Sequence, residues 1–138
     1  MPVIRSADAR RTPTPNAVMT TYASPTQGGS TAALWHVAMN PGTTGPYHAF
    51  DAEQIWTVLS GGFVVELDGE KLTVGTGDTL IAPAHLPRRV YADADTGFTA
   101  IVTAPADALA YNPNDVTPPG ACALAPRDAE RVAPPWMI

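Results

Sequence analysis

The sequence predicts an all-β fold, a sandwich or barrel of short antiparallel strands. Three observations carry that expectation. Apolar and β-branched residues come in strand-length runs, each stopped by a turn-forming cluster. The turns recur every six to twelve residues, the rhythm of sandwiches and barrels. The 138 residues include 15 prolines and 11 glycines, a density of breakers that long helices do not accommodate.

Along the chain, two weak strands are expected between residues 3 and 24, near Val3-Ile4 and from Ala17 to Tyr22. Thr12-Pro13-Thr14-Pro15 separates them. Ala33 to Met39 is a clear strand that stops at Asn40-Pro41-Gly42. Gln54 to Leu59 is rich in β-branched and aromatic residues, and Ser60-Gly61-Gly62 is expected to end it. Phe63 to Leu67 meets Asp68-Gly69, a strong hairpin signal, and Lys71 to Val74 pairs back. Thr79 to Ala82, Arg88 to Ala92 and Phe98 to Val102 supply three more strands. From Pro105 the chain is rich in Pro, Ala and Asp and reads as an extended tail over the barrel surface. Pro126 to Arg131 has the composition for one helical turn. Trp136, a large apolar group beyond Pro134-Pro135, is expected to pack on the body of the protein.

The length suits one domain, 1–138, with a core at about 30–104, N-terminal strands at 3–24 and a tail at 105–138. That is enough chain to bury a core without disulfides or a structural metal. A net charge of −5 and the lack of a basic, aromatic-laced stripe argue against nucleic acid or an anionic membrane as partner. No apolar run approaches the ~20 residues of a membrane span, and residues 1–5 lack a signal-peptide layout. A soluble, cytoplasmic protein is the expectation. Cys122 is the single cysteine, has no identifiable activating neighbour and is expected to be inert.

Residues 42–92 resemble the two motifs of the cupin superfamily. The first motif is a glycine, five residues, His-x-His, three or four residues, Glu, six residues and Gly. Here Gly42 is followed by five residues and His48, Gln54 falls at the glutamate position, and Gly61 lies where the closing glycine belongs. The second motif opens with Gly-Asp and runs through a strand into Pro-x-Gly, with a third histidine three residues on. Here Gly77-Asp78 leads through Thr79 to Ala82 into Pro83-Ala84-His85, and Arg88 stands at the histidine position. The resemblance covers about 50 residues and implies an RmlC-like jelly-roll β-barrel of six to eight strands, often a homodimer, with a site inside the barrel.

The departures concern the metal. Cupins that hold a transition metal usually do so with the three histidines and the glutamate; only His48 is kept. Phe50 cannot ligate, Gln54 is a weak neutral donor, and the Arg88 guanidinium repels a divalent ion. An altered ligand set of His48, Gln54 and His85 is the one metal alternative. The main expectation is that there is no metal or other cofactor.

The same motif positions imply an inward row of His48, Phe50, Gln54, Trp56, Val58, Arg88 and Val90. His48, Arg88 and Gln54 are the candidate catalytic residues. Arg88 would attract a carboxylate, enolate or phenolate, and His48, with an ordinary pKa of ~6.5, would move a proton. Gln54 would bind a carbonyl or fix the His48 tautomer. Phe50, Trp56, Val58 and Val90 are the candidate substrate-binding residues, with the aromatics facing a planar ligand. Structural readings stand beside these. His48 is equally readable as a hydrogen-bonded core residue, and Phe50 and Trp56 as core. Arg88 pairs with Asp51 or Glu53 on the same reading. His36 is then structural, His85 sits in an exposed turn and Arg89 points outward.

Three functions remain open at this point. The first is a metal-independent isomerase, cyclase, epimerase or lyase. The second is a protein that senses or carries a small, possibly anionic and aromatic molecule. The third is a metal-dependent oxygenase or isomerase with the altered ligand set.

Overall fold

The computed structural model describes residues 2–113 and 131–138. Among the described residues there are ten strands: β1 (Arg10–Pro13), β2 (Val18–Ala23), β3 (Ala32–Met39), β4 (Ala49–Phe50), β5 (Gln54–Leu67), β6 (Glu70–Gly75), β7 (Thr79–Ala82), β8 (Arg88–Ala92), β9 (Phe98–Pro105) and β10 (Ala110–Tyr111). Every strand pairing between them is antiparallel. The order β1-β2-β3-β9-β5-β6 forms one continuous path, β7 and β8 add to β5, and β4 pairs with β10. This is the expected all-β jelly roll. Among the described residues no helix is long and apolar enough to cross a membrane.

Side chains alternate across each strand, as the period of two requires. On β3, Trp35, Val37 and Met39 are buried while their neighbours face outward; β9 does the same with Phe98, Ala100 and Val102. Phe63 from β5 meets Phe98 at a centroid distance of 4.6 Å, and these aromatics anchor the packed interior.

β5 corrects one expectation. Ser60-Gly61-Gly62 does not end a strand; a single strand runs through it to Leu67. Its first half pairs with β7 and β9, its second with β6 and β8. The register with β9 shifts between Val58 and Ser60, and Gly61 has φ +67°. A Cβ at Gly61 would sit 2.0 Å from the Gly97 carbonyl oxygen. Bulge and glycine therefore bend the strand from one sheet face to the other, which is how a jelly roll closes with few breaks. At the far end Asp68 (φ 49°) and Gly69 (φ 81°) make the expected tight hairpin into β6.

The N-terminus differs as well. Val3-Ile4 forms no strand, Ser6–Asp8 is a single 3-10 turn, and the first strand is Arg10–Pro13. It lies at the sheet edge, paired only to β2. An edge position tolerates the missing N–H of Pro13, and backbone pairing rather than apolar alternation makes it a strand. The second N-terminal strand starts one residue later than expected and reaches Ala23.

Residues 131–138 fold back onto the barrel. Val132 pairs with Ala110 through two 2.8 Å backbone hydrogen bonds. Pro135–Met137 forms a 3-10 turn whose Trp136 and Met137 are buried. The Thr21 hydroxyl donates to the Trp136 carbonyl at 2.6 Å, and the Arg10 guanidinium donates to the carbonyls of Pro135 and Ile138. Cys122 and most of the expected turn at 126–131 lie outside the described residues; Arg131 itself is not helical.

Candidate functional site

His48 and Arg88 face each other across an antiparallel bridge. The His48 N–H donates to the Arg88 carbonyl at 3.1 Å, and the Arg88 N–H donates to the His48 carbonyl at 2.8 Å. Directly opposed residues of such a pair project from the same face, so imidazole and guanidinium enter the barrel side by side. Phe50, two residues beyond His48, and Val90, two beyond Arg88, follow onto that face. The His48 and Phe50 rings meet edge-on at 4.9 Å, and the Arg88 guanidinium carbon lies 5.6 Å from the Phe50 ring centroid. Gln54 and Trp56 come from the start of β5.

These side chains line a cavity of about 90 Å³, room for roughly three water molecules at the volume each takes in the liquid. Trp35, Val37 and Met39 of β3 form a second wall, the turn from Thr14 to Ala17 a third, and Val132, Pro134 and Trp136 complete the lining. Val58 is the exception among the expected pocket residues. It is buried but does not reach the cavity. The Trp56 indole packs onto Phe63 and Phe98 at centroid distances of 5.8 and 6.4 Å, so the cavity ends at Trp56 and Val58 serves the core beyond it.

Arg88 is only 2% exposed. The turn between β7 and β8 cradles it. Nε donates to the Leu86 carbonyl at 3.2 Å, and Nη2 to the carbonyls of Pro83 at 2.9 Å and Leu86 at 3.1 Å. Nη1 reaches Gln54 Oε1 at 3.4 Å. No carboxylate among the described residues pairs with it. Asp51 is engaged elsewhere, accepting from the Leu109 N–H at 2.7 Å and lying 3.4 Å from Arg131, while Glu53 is exposed. The expected alternative of a rim ion pair with either residue is thus corrected. Burial lowers the Arg88 pKa to about 10, partly offset by Tyr111, so the group stays cationic near neutrality.

His48 corrects a second expectation. Burial first, and Arg88 second, push its pKa down to about 3, so near pH 7 it is a neutral imidazole rather than one poised at its ordinary value. Its Nδ1 is buried without a hydrogen-bond partner among the described residues. Gln54 does not fix the His48 tautomer. Its Oε1 accepts from Trp56 Nε1 at 3.1 Å as well as from Arg88, so it positions the indole and the guanidinium.

The residues at the motif positions do not fit a divalent metal. The cation Arg88 stands at one ligand position, Phe50 at another, and the Gln54 oxygen is already shared by two donors. The alternative set of His48, Gln54 and His85 does not converge. His85 is exposed, holds φ +65° where the motif has glycine, and places Nδ1 2.9 Å from the Tyr111 hydroxyl. Its backbone N–H donates to the Phe50 carbonyl at 2.7 Å, and its side chain is not among those that line the cavity. Among the described residues no group of three His, Cys, Asp or Glu is placed to hold a metal ion.

The remaining histidine, His36, lies half-buried on the outer face of β3 beside Tyr22, outside the cavity; burial lowers its pKa. Arg89 faces away from the cavity, over the Tyr47 ring at 5.6 Å. Sequence reasoning missed the contribution of Trp136 to the cavity wall. The only signal was an apolar ring stranded near a proline-rich end.

The family model for the "Cupin domain" matches residues 35–103, half of the 138-residue chain. The fold is similar to that of the polyketide cyclase RemF from Streptomyces resistomycificus, with a TM-score of 0.68, 19% identity, and coverage of 94% of this chain and 89% of that one. It is also similar to KdgF from Halomonas sp., with a TM-score of 0.63, 22% identity, and coverage of 76% and 94%. A third likeness is to a salicylate 1,2-dioxygenase from Pseudaminobacter salicylatoxidans, with a TM-score of 0.60 and 23% identity; it takes in 67% of this chain and 27% of that one. At these identities the structural likeness speaks for the fold. No curated protein matches the sequence.

Proposed function

This chain belongs to the cupin family, and we propose that it is a metal-independent enzyme that binds a small planar organic acid, enolate or phenolate inside the barrel and moves a proton with His48. The observation that carries the reading is the pairing of Arg88 and His48. A buried guanidinium with no carboxylate partner among the described residues stands beside a half-buried neutral imidazole whose Nδ1 is unpartnered, and both residues line an apolar cavity. A buried charge without a counter-ion is costly, and an anionic ligand removes that cost.

The chemistry follows from the charges. An anion held at Arg88 offsets the field that, after burial, disfavours imidazolium, so the His48 pKa rises when the ligand binds. His48 then accepts a proton from a carbon beside the ligand's carbonyl. The electrons of that C–H bond pass into an enolate whose oxygen Arg88 stabilises. Return of the proton to a different atom gives an isomer; departure of a β-group with its bonding pair, protonated by His48, gives a lyase reaction; and attack of the enolate carbon on a second carbonyl of the same ligand, whose oxygen then takes the proton from His48, gives a cyclase reaction. No electrons are gained or lost overall. Phe50 and Trp56 supply the flat walls, and Gln54 holds Arg88 and Trp56 in place. RemF is a polyketide cyclase by name, and chemistry of that general kind suits this reading.

The low basicity that burial and Arg88 give His48 favours a second reading, in which the cavity binds or senses its ligand without turnover. One experiment separates them. Tryptophan quenching is measured with a panel of aromatic and enolisable carboxylates, and each hit is followed for hydrogen–deuterium exchange in heavy water. Arg88→Ala is expected to weaken binding by roughly 10- to 150-fold, the loss of a charge-assisted bond. Arg88→Lys restores it only in part. His48→Gln is expected to keep binding and abolish exchange. Binding without exchange in the wild type means the second reading holds. Equal affinity of wild type and Arg88→Ala for every hit means the site is wrong.

A further inference from the structure

We infer that this chain forms a two-fold dimer in which the outer face of the sheet β2-β3-β9-β5-β7 lies against the same face of a second copy. The inference stands apart from the proposed function, because this face is turned away from the cavity.

Strand register defines the face. Ile81 of β7 is opposite Ile55 of β5, Ile55 is opposite Thr103 of β9, and Thr103 is opposite Leu34 of β3. Two residues along each strand, Thr79, Thr57, Ile101 and His36 make a second row, which reaches Thr20 of β2. The residues between them, such as Trp35 and Val102, are buried inside the barrel, so both rows point outward. Ile81 is 57% exposed and Leu59, at the bulge of β5, is 47% exposed.

Two properties suit this face to being covered. The first is its lack of charge. The chain has 8 basic and 13 acidic residues, yet neither row holds one. His36, the one titratable group in the two rows, is kept below its ordinary pKa by burial and is therefore largely neutral near pH 7. Charge returns at the sheet edge, where Arg11 of β1 stands opposite Thr20. The second property is that hydroxyls on the face already have partners. Thr57 and Thr79 bond each other at 3.0 Å, Ser60 and Thr99 at 2.6 Å, and Thr103 donates to the Ala33 carbonyl at 3.0 Å. Removing water here strands few polar atoms, while the isoleucines and leucines gain by leaving it.

Charge, shape and area make the occupant a second copy. With a net charge of −5, two copies repel wherever their charged surfaces meet, and this face avoids that repulsion. A charged partner would find nothing in the two rows to pair with. A twisted sheet is matched by another of the same hand, stacked about 10 Å away at roughly −30°, and a two-fold axis supplies one. Five strands about 4.8 Å apart, each contributing about six residues, cover roughly 24 Å by 20 Å. Two such faces bury roughly 1,000 Å² in total, the size at which specific association begins. The dimer is accordingly expected to be reversible.

Sedimentation equilibrium of the full chain at concentrations up to about 1 mM is expected to show monomers and dimers. The contact face is then read in the wild type. At a concentration where dimer dominates, with a soluble nitroxide, the methyl signal of Ile81 is expected to be protected. That of Ile138, 46% exposed and outside the sheet, is expected to broaden. Ile81→Val and Ile138→Val assign the two signals. Ile81→Glu and Ile55→Lys each bring like charges together across the two-fold and are expected to weaken the dimer by roughly tenfold or more. Their far-UV circular dichroism is expected to match the wild type, and if either fails to fold, the nitroxide contrast decides. A wild type that stays monomeric throughout overturns the inference. So does a dimer in which Ile81 is as accessible as Ile138, or one that both folded variants keep at full affinity, since the contact then lies elsewhere. None of these results bears on the Arg88 site.

Discussion

Beyond the bend at Gly61, β5 sends Phe63 and Val65 into the buried core, where the Phe63 ring meets Phe98 at 4.6 Å. Before the bend, the same strand sends Gln54 and Trp56 into a space that stays open. The packed half needs nothing further. Its side chains are apolar, and aromatic contacts at 4.6 to 6.4 Å link Trp56, Phe63 and Phe98 into one cluster. Among the described residues, the open half holds a guanidinium without a carboxylate beside a histidine whose Nδ1 has no partner. A fold selected for stability alone would fill such a space with aliphatic side chains, because buried polar groups that lack partners subtract from stability. The difference between the two halves separates what holds the barrel together from the polar groups on which the proposed function rests.

The largest effect is expected in the packed half. Phe63→Ala is expected to destabilise the protein by about 3–5 kcal/mol, the usual cost of a large aromatic removed from a core. Urea unfolding gives the number. A loss below about 1 kcal/mol would mean that this half is not the anchor of the fold.

Arg88→Met sharpens the contrast. It removes a buried charge and keeps a chain of similar length, but it also releases the carbonyls of Pro83 and Leu86. These effects oppose each other, so the net change is expected to stay within about 2 kcal/mol. A loss as large as that of Phe63→Ala, read in the same unfolding assay, would make Arg88 a structural residue and erase the distinction.

The smallest effect at neutral pH is expected for His48→Gln, and it grows with acidity. The folded pKa of His48, about 3, lies below its ordinary 6.5. As pH falls, the unfolded chain takes up this proton first. The stability that depends on a neutral His48 is therefore complete above about pH 6.5 and is lost progressively down to pH 3. The slope reaches at most about 1.4 kcal/mol per pH unit. Wild type and His48→Gln are expected to unfold at similar urea concentrations near pH 7 and to diverge toward pH 4, with the variant less acid-sensitive. Parallel acid profiles would show that His48 titrates normally and is not sealed in the barrel.

What the sequence determined by itself is local and periodic. β3, β7, β8 and β9 were legible because alternation of buried and exposed residues is written directly into each run. The Asp68-Gly69 hairpin was legible because few residues accept its positive φ angles. Motif spacing also named His48, Phe50, Gln54, Trp56, Arg88 and Val90, since faces of a strand follow from counting. The tertiary structure decided the rest. Whether Ser60-Gly61-Gly62 stops a strand or bends it depends on the Gly97 carbonyl that approaches Gly61, which lies far along the chain. The edge strand Arg10–Pro13 exists only because β2 pairs with it. The protonation of His48 and the lack of a carboxylate beside Arg88 among the described residues depend on what surrounds them, since burial and partners are properties of a neighbourhood. Trp136 joined the cavity for the same reason. Its contacts with Arg10 and Thr21 span more than a hundred residues of sequence, and no local pattern encodes a contact of that separation.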